Sequence, residues 1–248
     1  MATRNSTTRG FDAVLWDVDG TLLNFLYAQR CAISKCLQEI GVEPTEEIIA
    51  RYSAINDGYW KRLELGEVTK EQLLTGRFTS LFEEYDIRDV DVQAFRDQYE
   101  GTLGVVYAYQ ENSPDICKAL RGRVRQYVIT NGVTSVQRSK LQLSGFAELM
   151  EDIFISEQIG VPKPQEAFFD ACIRRMEAQI GAVDRSRLLI VGDSLSSDIK
   201  GGVLSGIPTC WYRPEDALSL ADAQTQRLYA QYRPDYEISR LAQILDIV

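Results

Sequence analysis

Phe11-Asp12-Ala13-Val14-Leu15-Trp16-Asp17-Val18-Asp19-Gly20-Thr21-Leu22 is the stretch that decides the fold. Ala13 to Trp16 is a short, uninterrupted apolar run, as expected of a strand buried on both faces of a parallel sheet. Two carboxylates two residues apart end it. In extended backbone, residues i and i+2 point the same way, so Asp17 and Asp19 address one pocket while Val18 turns away. Gly20 permits a sharp turn, and Thr21 sets a hydroxyl beside the acids. Like charges at this spacing repel, so one carboxyl holds its proton more tightly or both recruit a cation. A calcium loop of the EF-hand kind needs a Glu at its twelfth position, which counted from Asp17 is Ala28, so that reading fails. A plain surface turn after a buried strand is the alternative left open here.

Moving outward, the apolar spacing turns helical. Residues 25–40 carry Ile33, Leu37 and Ile40 on one side and stop at Gly41. Residues 45–65 repeat Ile48, Tyr52, Ile55 and Tyr59 before Gly66. Thr69-Lys70-Glu71-Gln72 matches a capping box and opens a third helix to about Tyr85. A fourth is predicted from about Val90 to Tyr107, with no strand between 24 and 110. An all-helical block set directly after a strand end reads as a cap or lid. The expected organisation is residues 1–22 as the first part of a core, 23–108 as a helical cap and 109–248 as the rest of the core.

From Ser113 the pattern becomes α/β. Ser113-Pro114 supplies an N-cap followed by proline at the first helical position. Strands are predicted at Arg123 to Ile129, near Ile153 to Ser156, from Arg187 to Val191, near Pro208 to Tyr212 and, at an edge, around Glu237-Ile238. Helices alternate with them, at 165–178, up to about Leu204, at 215–231 and at 239–247. This alternation gives the fold class: α/β, an open parallel sheet with helices on both faces and an inserted helical cap.

Composition narrows the chemistry. With 27 basic and 36 acidic side chains in 248 residues, the net charge of −9 disfavours binding to a nucleic-acid backbone. Small phosphorylated substrates remain allowed, because a metal ion offsets charge locally. There is no histidine, which excludes Ser-His-Asp and Cys-His catalysis and any imidazole-based zinc site. Acid–base work then falls to Asp, Glu, Lys, Tyr or Cys. Cys31, Cys36, Cys117, Cys172 and Cys210 are odd in number and widely spaced, so they read as small buried hydrophobes in a reducing compartment. No signal peptide follows the polar residues 1–10, and no run approaches the ~20 apolar residues of a membrane span. The expectation is a cytoplasmic protein, monomer or homodimer, with no membrane partner.

Four polar groups sit just past predicted strand ends, where open α/β sheets place ligands: Asp17 with Asp19, Thr130 with Asn131, Lys163, and Asp193 with Asp198. Carboxylates with Mg²⁺ bind hard oxygen ligands, while Thr130, the Asn131 amide and Lys163 suit phosphate oxygens. Each has a plainer reading alone. Thr130-Asn131-Gly132 is a common turn, Lys163 a solvated lysine, and Gly192-Asp193-Ser194 a helix cap. Their order and context together are far more specific.

With Asp17-Val18-Asp19-Gly20-Thr21, Thr130, Lys163 and Gly192-Asp193-Ser194…Asp198 in this order, the chain resembles the haloacid dehalogenase superfamily of phosphohydrolases, from about residue 11 to its end. The resemblance implies a Rossmann-like core with an α-helical cap. It implies Asp17 as the nucleophile that forms an aspartyl-phosphate. By the same resemblance Asp19 would protonate the leaving oxygen and then activate water, and Mg²⁺ would be held by the Asp17 side chain, the Asp19 backbone carbonyl and Asp193, with Asp198 behind them. The dehalogenase branch lacks an acid at the second Asp position, so Asp19 argues for phosphoryl transfer.

The cap is the guide to substrate. Tyr52-x-x-Ile55-Asn56-x-x-x-Trp60-x-x-Leu63-Glu64-x-Gly66-x-Val68-Thr69, followed by Arg77-Phe78, is similar to bacterial pyrimidine 5′-nucleotidases. Asn56 and Trp60 are four apart on one helix face, and an indole and an amide there suit stacking on and hydrogen-bonding to a base. Packing between cap and core is the competing account of Trp60. The expected substrate is a small phosphorylated metabolite, a nucleoside 5′-monophosphate first, with phosphoglycolate or a sugar phosphate as enzymatic rivals. A non-catalytic phosphate-binding protein is the alternative of another class, although none of Asp17, Asp19, Lys163 and Asp193 is missing.

Overall fold

The structure is a computed structural model describing residues 10–214 and 223–248. Most of the polar N-terminal stretch and the first part of the helix predicted at 215–231 lie outside the described residues. Six strands form one sheet: β1 (Ala13–Trp16), β2 (Arg125–Thr130), β3 (Asp152–Ile155), β4 (Leu188–Gly192), β5 (Thr209–Tyr212) and β6 (Tyr236–Ile238). Their order is β3-β2-β1-β4-β5-β6, and every neighbouring pair is parallel. The fold is thus α/β and Rossmann-like. Chain order reverses between β1 and β4, the switch point at which such sheets bind ligands. Trp16 is level with Val128 of β2 and Val191 of β4. The residues that follow these three strands therefore emerge together.

Alternation along β1 sends Val14 and Trp16 into the core on one face and Ala13 and Leu15 into the core on the other. Trp16 is fully buried, and its indole N–H is satisfied by Gln126 Oε1 at 3.1 Å. The helices of the sheet are α5 (Ser113–Leu120), α6 (Thr134–Leu143), α7 (Ser156–Ile159), α8 (Glu166–Ile180), α9 (Lys200–Leu204) and α10 (Ala223–Gln231). Ser113 is not the cap the sequence suggested. It lies inside α5, and its hydroxyl donates instead to Leu22 O at 2.7 Å.

The helical block contains α1 (Phe25–Glu39), α2 (Glu46–Glu64), α3 (Lys70–Glu84) and α4 (Val92–Leu103). It has its own core, in which Tyr52 stacks on Phe78 while Phe95 and Tyr99 meet that ring edge-on. The Thr69/Gln72 capping box is formed at both ends. α4 starts later than predicted because Asp91 caps it, accepting from the N–H groups of Gln93 and Ala94, and it ends earlier, at Gly104. The chain leaves and re-enters the core at adjacent points: Asn24 N donates to Ala108 O at 2.9 Å and Gln110 N to Leu22 O at 3.0 Å. The predicted last helix is a 3₁₀ segment, Leu241–Asp246. All five cysteines are free, and among the described residues no helix is long and apolar enough to cross a membrane.

Candidate active site

Asp17 follows β1 and is 7% exposed. Gly20 then closes the turn at φ 91°, a conformation that L side chains avoid. A Cβ there would also lie 2.4 Å from Asp193 Oδ2, so a bare backbone is what lets the first and fourth acidic groups approach. Thr21 is fully buried and donates to Asp193 Oδ1 at 3.4 Å.

Lys163 is brought to Asp17 from the loop before α8. Its ammonium is 2.7 Å from Asp17 Oδ1, 2.7 Å from Asp198 Oδ1 and 3.1 Å from Ile129 O, and the residue is 1% exposed. Asn131 fixes this lysine: its amide donates to Lys163 O and accepts from Lys163 N, both at 2.9 Å. The Asn131 side chain, expected on phosphate, is thus committed to the lysine loop. Thr130 is buried and accepts from Gly132 N at 3.1 Å.

Asp198 reaches the centre through a wide turn. Both Asp198 N and Ile199 N donate to Ser194 O, opening a π-helical segment, Leu195–Ile199, before α9. The turn swings the Asp198 carboxylate back to Lys163 and to Ser194 N at 3.2 Å. Asp17, Asp193 and Asp198 each place one oxygen within 4.8 Å of the others. These are hard oxygen donors with no sulfur or imidazole among them, a set suited to Mg²⁺.

The electrostatics follow from crowding. Burial pushes the Asp17 carboxyl up to about 7 against the pull of Lys163, with Asp198 adding to the rise. Asp193 is exposed at its surface yet closely surrounded by protein; desolvation and then the charges of Asp17 and Asp198 raise its carboxyl well above the usual range. Burial works against the Lys163 charge, yet Asp17 and Asp198 outweigh it and hold the ammonium above the ordinary lysine range. A bound divalent cation favours the ionised form of Asp17 and Asp193.

Asp19 lies apart from this cluster. Its oxygens are engaged by Gln137 and Lys140 of α6, two residues the sequence reading missed. The helical block meets the core at two places. Lys70 Nζ donates to Asn131 O at 2.9 Å and Gly132 O at 2.8 Å, and Ser196 hydrogen-bonds Glu64 at the end of α2. Burial pushes the Glu64 carboxyl up to about 7, with the Ser196 hydroxyl pulling it down and Asp198 adding to the rise. Asn56 is not among the groups gathered at the strand ends. It is 2% exposed inside the helical block, its amide donating to Gln29 Oε1 at 2.8 Å and accepting from Arg77 Nη1 at 2.8 Å. Trp60 is half-buried against Leu63, Val68, Leu73 and Leu74.

A parallel sheet whose switch point gathers buried carboxylates and a lysine defines a Rossmann-like α/β protein with a cluster of oxygen donors able to hold a cation. The profile of the haloacid dehalogenase-like hydrolases matches residues 11–206, and the chain belongs to that family. It is 30% identical to YfnB of Bacillus subtilis, named as a HAD-hydrolase, over 96% of this chain and 95% of the other. The crystal structure of YfnB bound to magnesium superposes with a TM-score of 0.85, covering 96% of this chain and 99% of that one. The pyrimidine 5′-nucleotidase PynA of Streptococcus pneumoniae is 31% identical over 94% of this chain and 93% of its own. The pyrimidine 5′-nucleotidase YjjG of Escherichia coli is 30% identical over 81% and 85%.

Proposed function

We propose that this protein is a Mg²⁺-dependent phosphomonoester hydrolase that works through an aspartyl-phosphate, and that its substrates are nucleoside 5′-monophosphates. The observation that carries the reading is Asp17: a buried carboxylate at the end of the central strand, 2.7 Å from Lys163 and within ligand reach of Asp193 and Asp198. The near full-length similarity to PynA and YjjG supports the nucleotide assignment.

An Asp17 oxygen attacks phosphorus as the bond to the leaving oxygen breaks, and Asp19 gives that oxygen a proton. Asp19 then takes a proton from water, which attacks the same phosphorus and releases inorganic phosphate and free Asp17. A carboxylate is a weak nucleophile and repels an incoming phosphate, so positive charge has to sit beside it. Lys163 provides one such charge, and the Thr130 hydroxyl offers a hydrogen bond to a phosphoryl oxygen. The bound Mg²⁺ would be held by Asp17, Asp193 and the Asp19 carbonyl, and supplies charge neutralisation for carboxylate and phosphate. Asp198 steadies the site through Lys163 and Ser194 N.

The test is a panel of nucleoside monophosphates, sugar phosphates, phosphoglycolate and aryl phosphates, assayed with Mg²⁺ and with chelator. Nucleoside 5′-monophosphates are expected to give the highest kcat/KM, lost on chelation. A preference for phosphoglycolate or a sugar phosphate would overturn the substrate, and turnover undiminished by chelator would overturn the metal.

A further inference from the structure

Asp19 is held in place from a second element. Gln137 Nε2 donates to Asp19 Oδ2 and Lys140 Nζ to Asp19 Oδ1, each at 2.5 Å. Gln137 and Lys140 are one helical turn apart on α6, and each is 1% exposed. Among the described residues the Lys140 ammonium has Asp19 as its one partner. A buried lysine dedicated to one carboxylate is weak support for stability, since a well-packed hydrophobe serves as well there. The arrangement therefore calls for an explanation outside packing.

Two further observations point the same way. Gln137 Oε1 is buried without a hydrogen-bond partner, so the amide gives up satisfaction at one end to engage Asp19 at the other. Gly132 makes this possible: a Cβ at that position would lie 2.1 Å from Gln137 Nε2 and 2.7 Å from its Cδ. The glycine after Thr130 and Asn131 thus leaves room for a side chain five residues on.

We propose that Gln137 and Lys140 are positioning residues that fix the direction of the Asp19 carboxyl, with Gly132 providing the space. The inference rests on the role proposed above for Asp19, and it does not depend on a nucleotide substrate. The pair acts through Asp19, so its worth depends on how much proton donation the leaving group needs. A good leaving group departs without help, whereas a poor one registers any misdirection of the acid.

The experiment compares kcat/KM for phenyl phosphate, the poorer leaving group, and p-nitrophenyl phosphate. The proteins are wild type, Asp19→Asn, Gln137→Leu, Lys140→Met and Gly132→Ala, plus each of the last three combined with Asp19→Asn, with melting temperatures alongside. Misplacing a catalytic group by about 1 Å can cost ~10²-fold, so each positioning variant is expected to lose about tenfold or more on phenyl phosphate and at most a few fold on p-nitrophenyl phosphate. In the Asp19→Asn background the same changes should add almost nothing. Equal losses on both esters, or losses that multiply in full with Asp19→Asn, overturn the proposal. If Asp19→Asn itself fails to distinguish the two esters, the acid–base assignment falls instead. Should Lys140→Met not fold, Gln137→Leu and Gly132→Ala give the same readout.

Discussion

Replacing Lys163 with Met, of similar length but uncharged, tests the charge balance of the centre directly. In the metal-free protein the change leaves Asp17 and Asp198 facing each other with their shared counter-charge gone, and strips a hydrogen bond from Ile129 O. Breaking a buried ion pair by removing one partner costs ~3–5 kcal/mol, and two carboxylates share this one lysine. For a chain of this size about 1 kcal/mol moves Tm by ~2–4 °C, so the expected fall is about 6–20 °C. The pH dependence has a definite sign. Asp17 already titrates near 7 rather than 3.8, so its protonated form favours the folded state in acid. That contribution is present below the unfolded value and lost as pH rises through about 7. Without Lys163 the Asp17 carboxyl rises further, and the deficit should grow with pH across this window. Mg²⁺ restores the missing positive charge, so it should raise the Tm of the variant more than that of the wild type. Thermal unfolding by circular dichroism, across pH and with or without Mg²⁺, reads all three effects. A metal-free loss below about 1 kcal/mol, or an equal Mg²⁺ increment in both proteins, would refute the reasoning.

Asp17→Asn should abolish turnover of every phosphomonoester while leaving metal-free Tm unchanged or higher, because it removes one of three crowded carboxylates; retained wild-type rates would rule out covalent catalysis there. Asn56→Ala leaves Arg77 Nη1 and Gln29 Oε1 unpaired inside the helical block, a loss of ~1.5–3 kcal/mol for a hydrogen bond to a charged group, seen as a Tm lower by about 3–12 °C. An unchanged Tm with a lower nucleotide-to-aryl kcat/KM ratio would return Asn56 to the substrate. Burial raises the Glu64 carboxyl, so its burial against the Ser194–Ser196 loop is favoured in acid and weakened as pH rises from 4.5 through about 7, even though the Ser196 hydrogen bond by itself favours the ionised form. Hydrogen exchange at the Ser194–Ser196 loop should follow that change in wild type and become flat in Glu64→Gln.

The centre was legible because its signals are local and its elements are strands. Asp17 and Asp19 read as strand-end acids from a four-residue apolar run, and the parallel register then levels Trp16 with Val128 and Val191, bringing the following residues together. Lys163 stood out by its place past a predicted strand end, in order with the other polar groups. What stayed hidden depends on closure across long sequence separations. Lys140 lies 121 residues from Asp19 and Glu64 lies 132 from Ser196. Read along the chain, each is an ordinary helix charge of the kind that usually faces water. Asn131 was visible as a polar strand-end residue, but spacing cannot say whether its amide faces a ligand or the backbone of the next loop, and it takes the backbone.

The same ambiguity explains the cap. Asn56, Trp60 and Glu64 follow one another at four-residue intervals along α2, so the sequence places them on a single stripe. The surroundings of that stripe change along its length. At Asn56 it faces α1 and α3, where Gln29 and Arg77 close around the amide. One turn on, Trp60 lies at the edge of a small apolar cluster. At the last turn Glu64 reaches the loop that follows Asp193. Four residues advance a helix by about 6 Å, enough to move a side chain from the middle of a four-helix core to its rim. Along this stripe Asn56 is taken up by Gln29 and Arg77 inside the helical block, and it is Glu64 that touches the core. On this geometry the end of α2 and the start of α3 are where the helical block meets the core, through Glu64 on Ser196 and Lys70 on the carbonyls of Asn131 and Gly132.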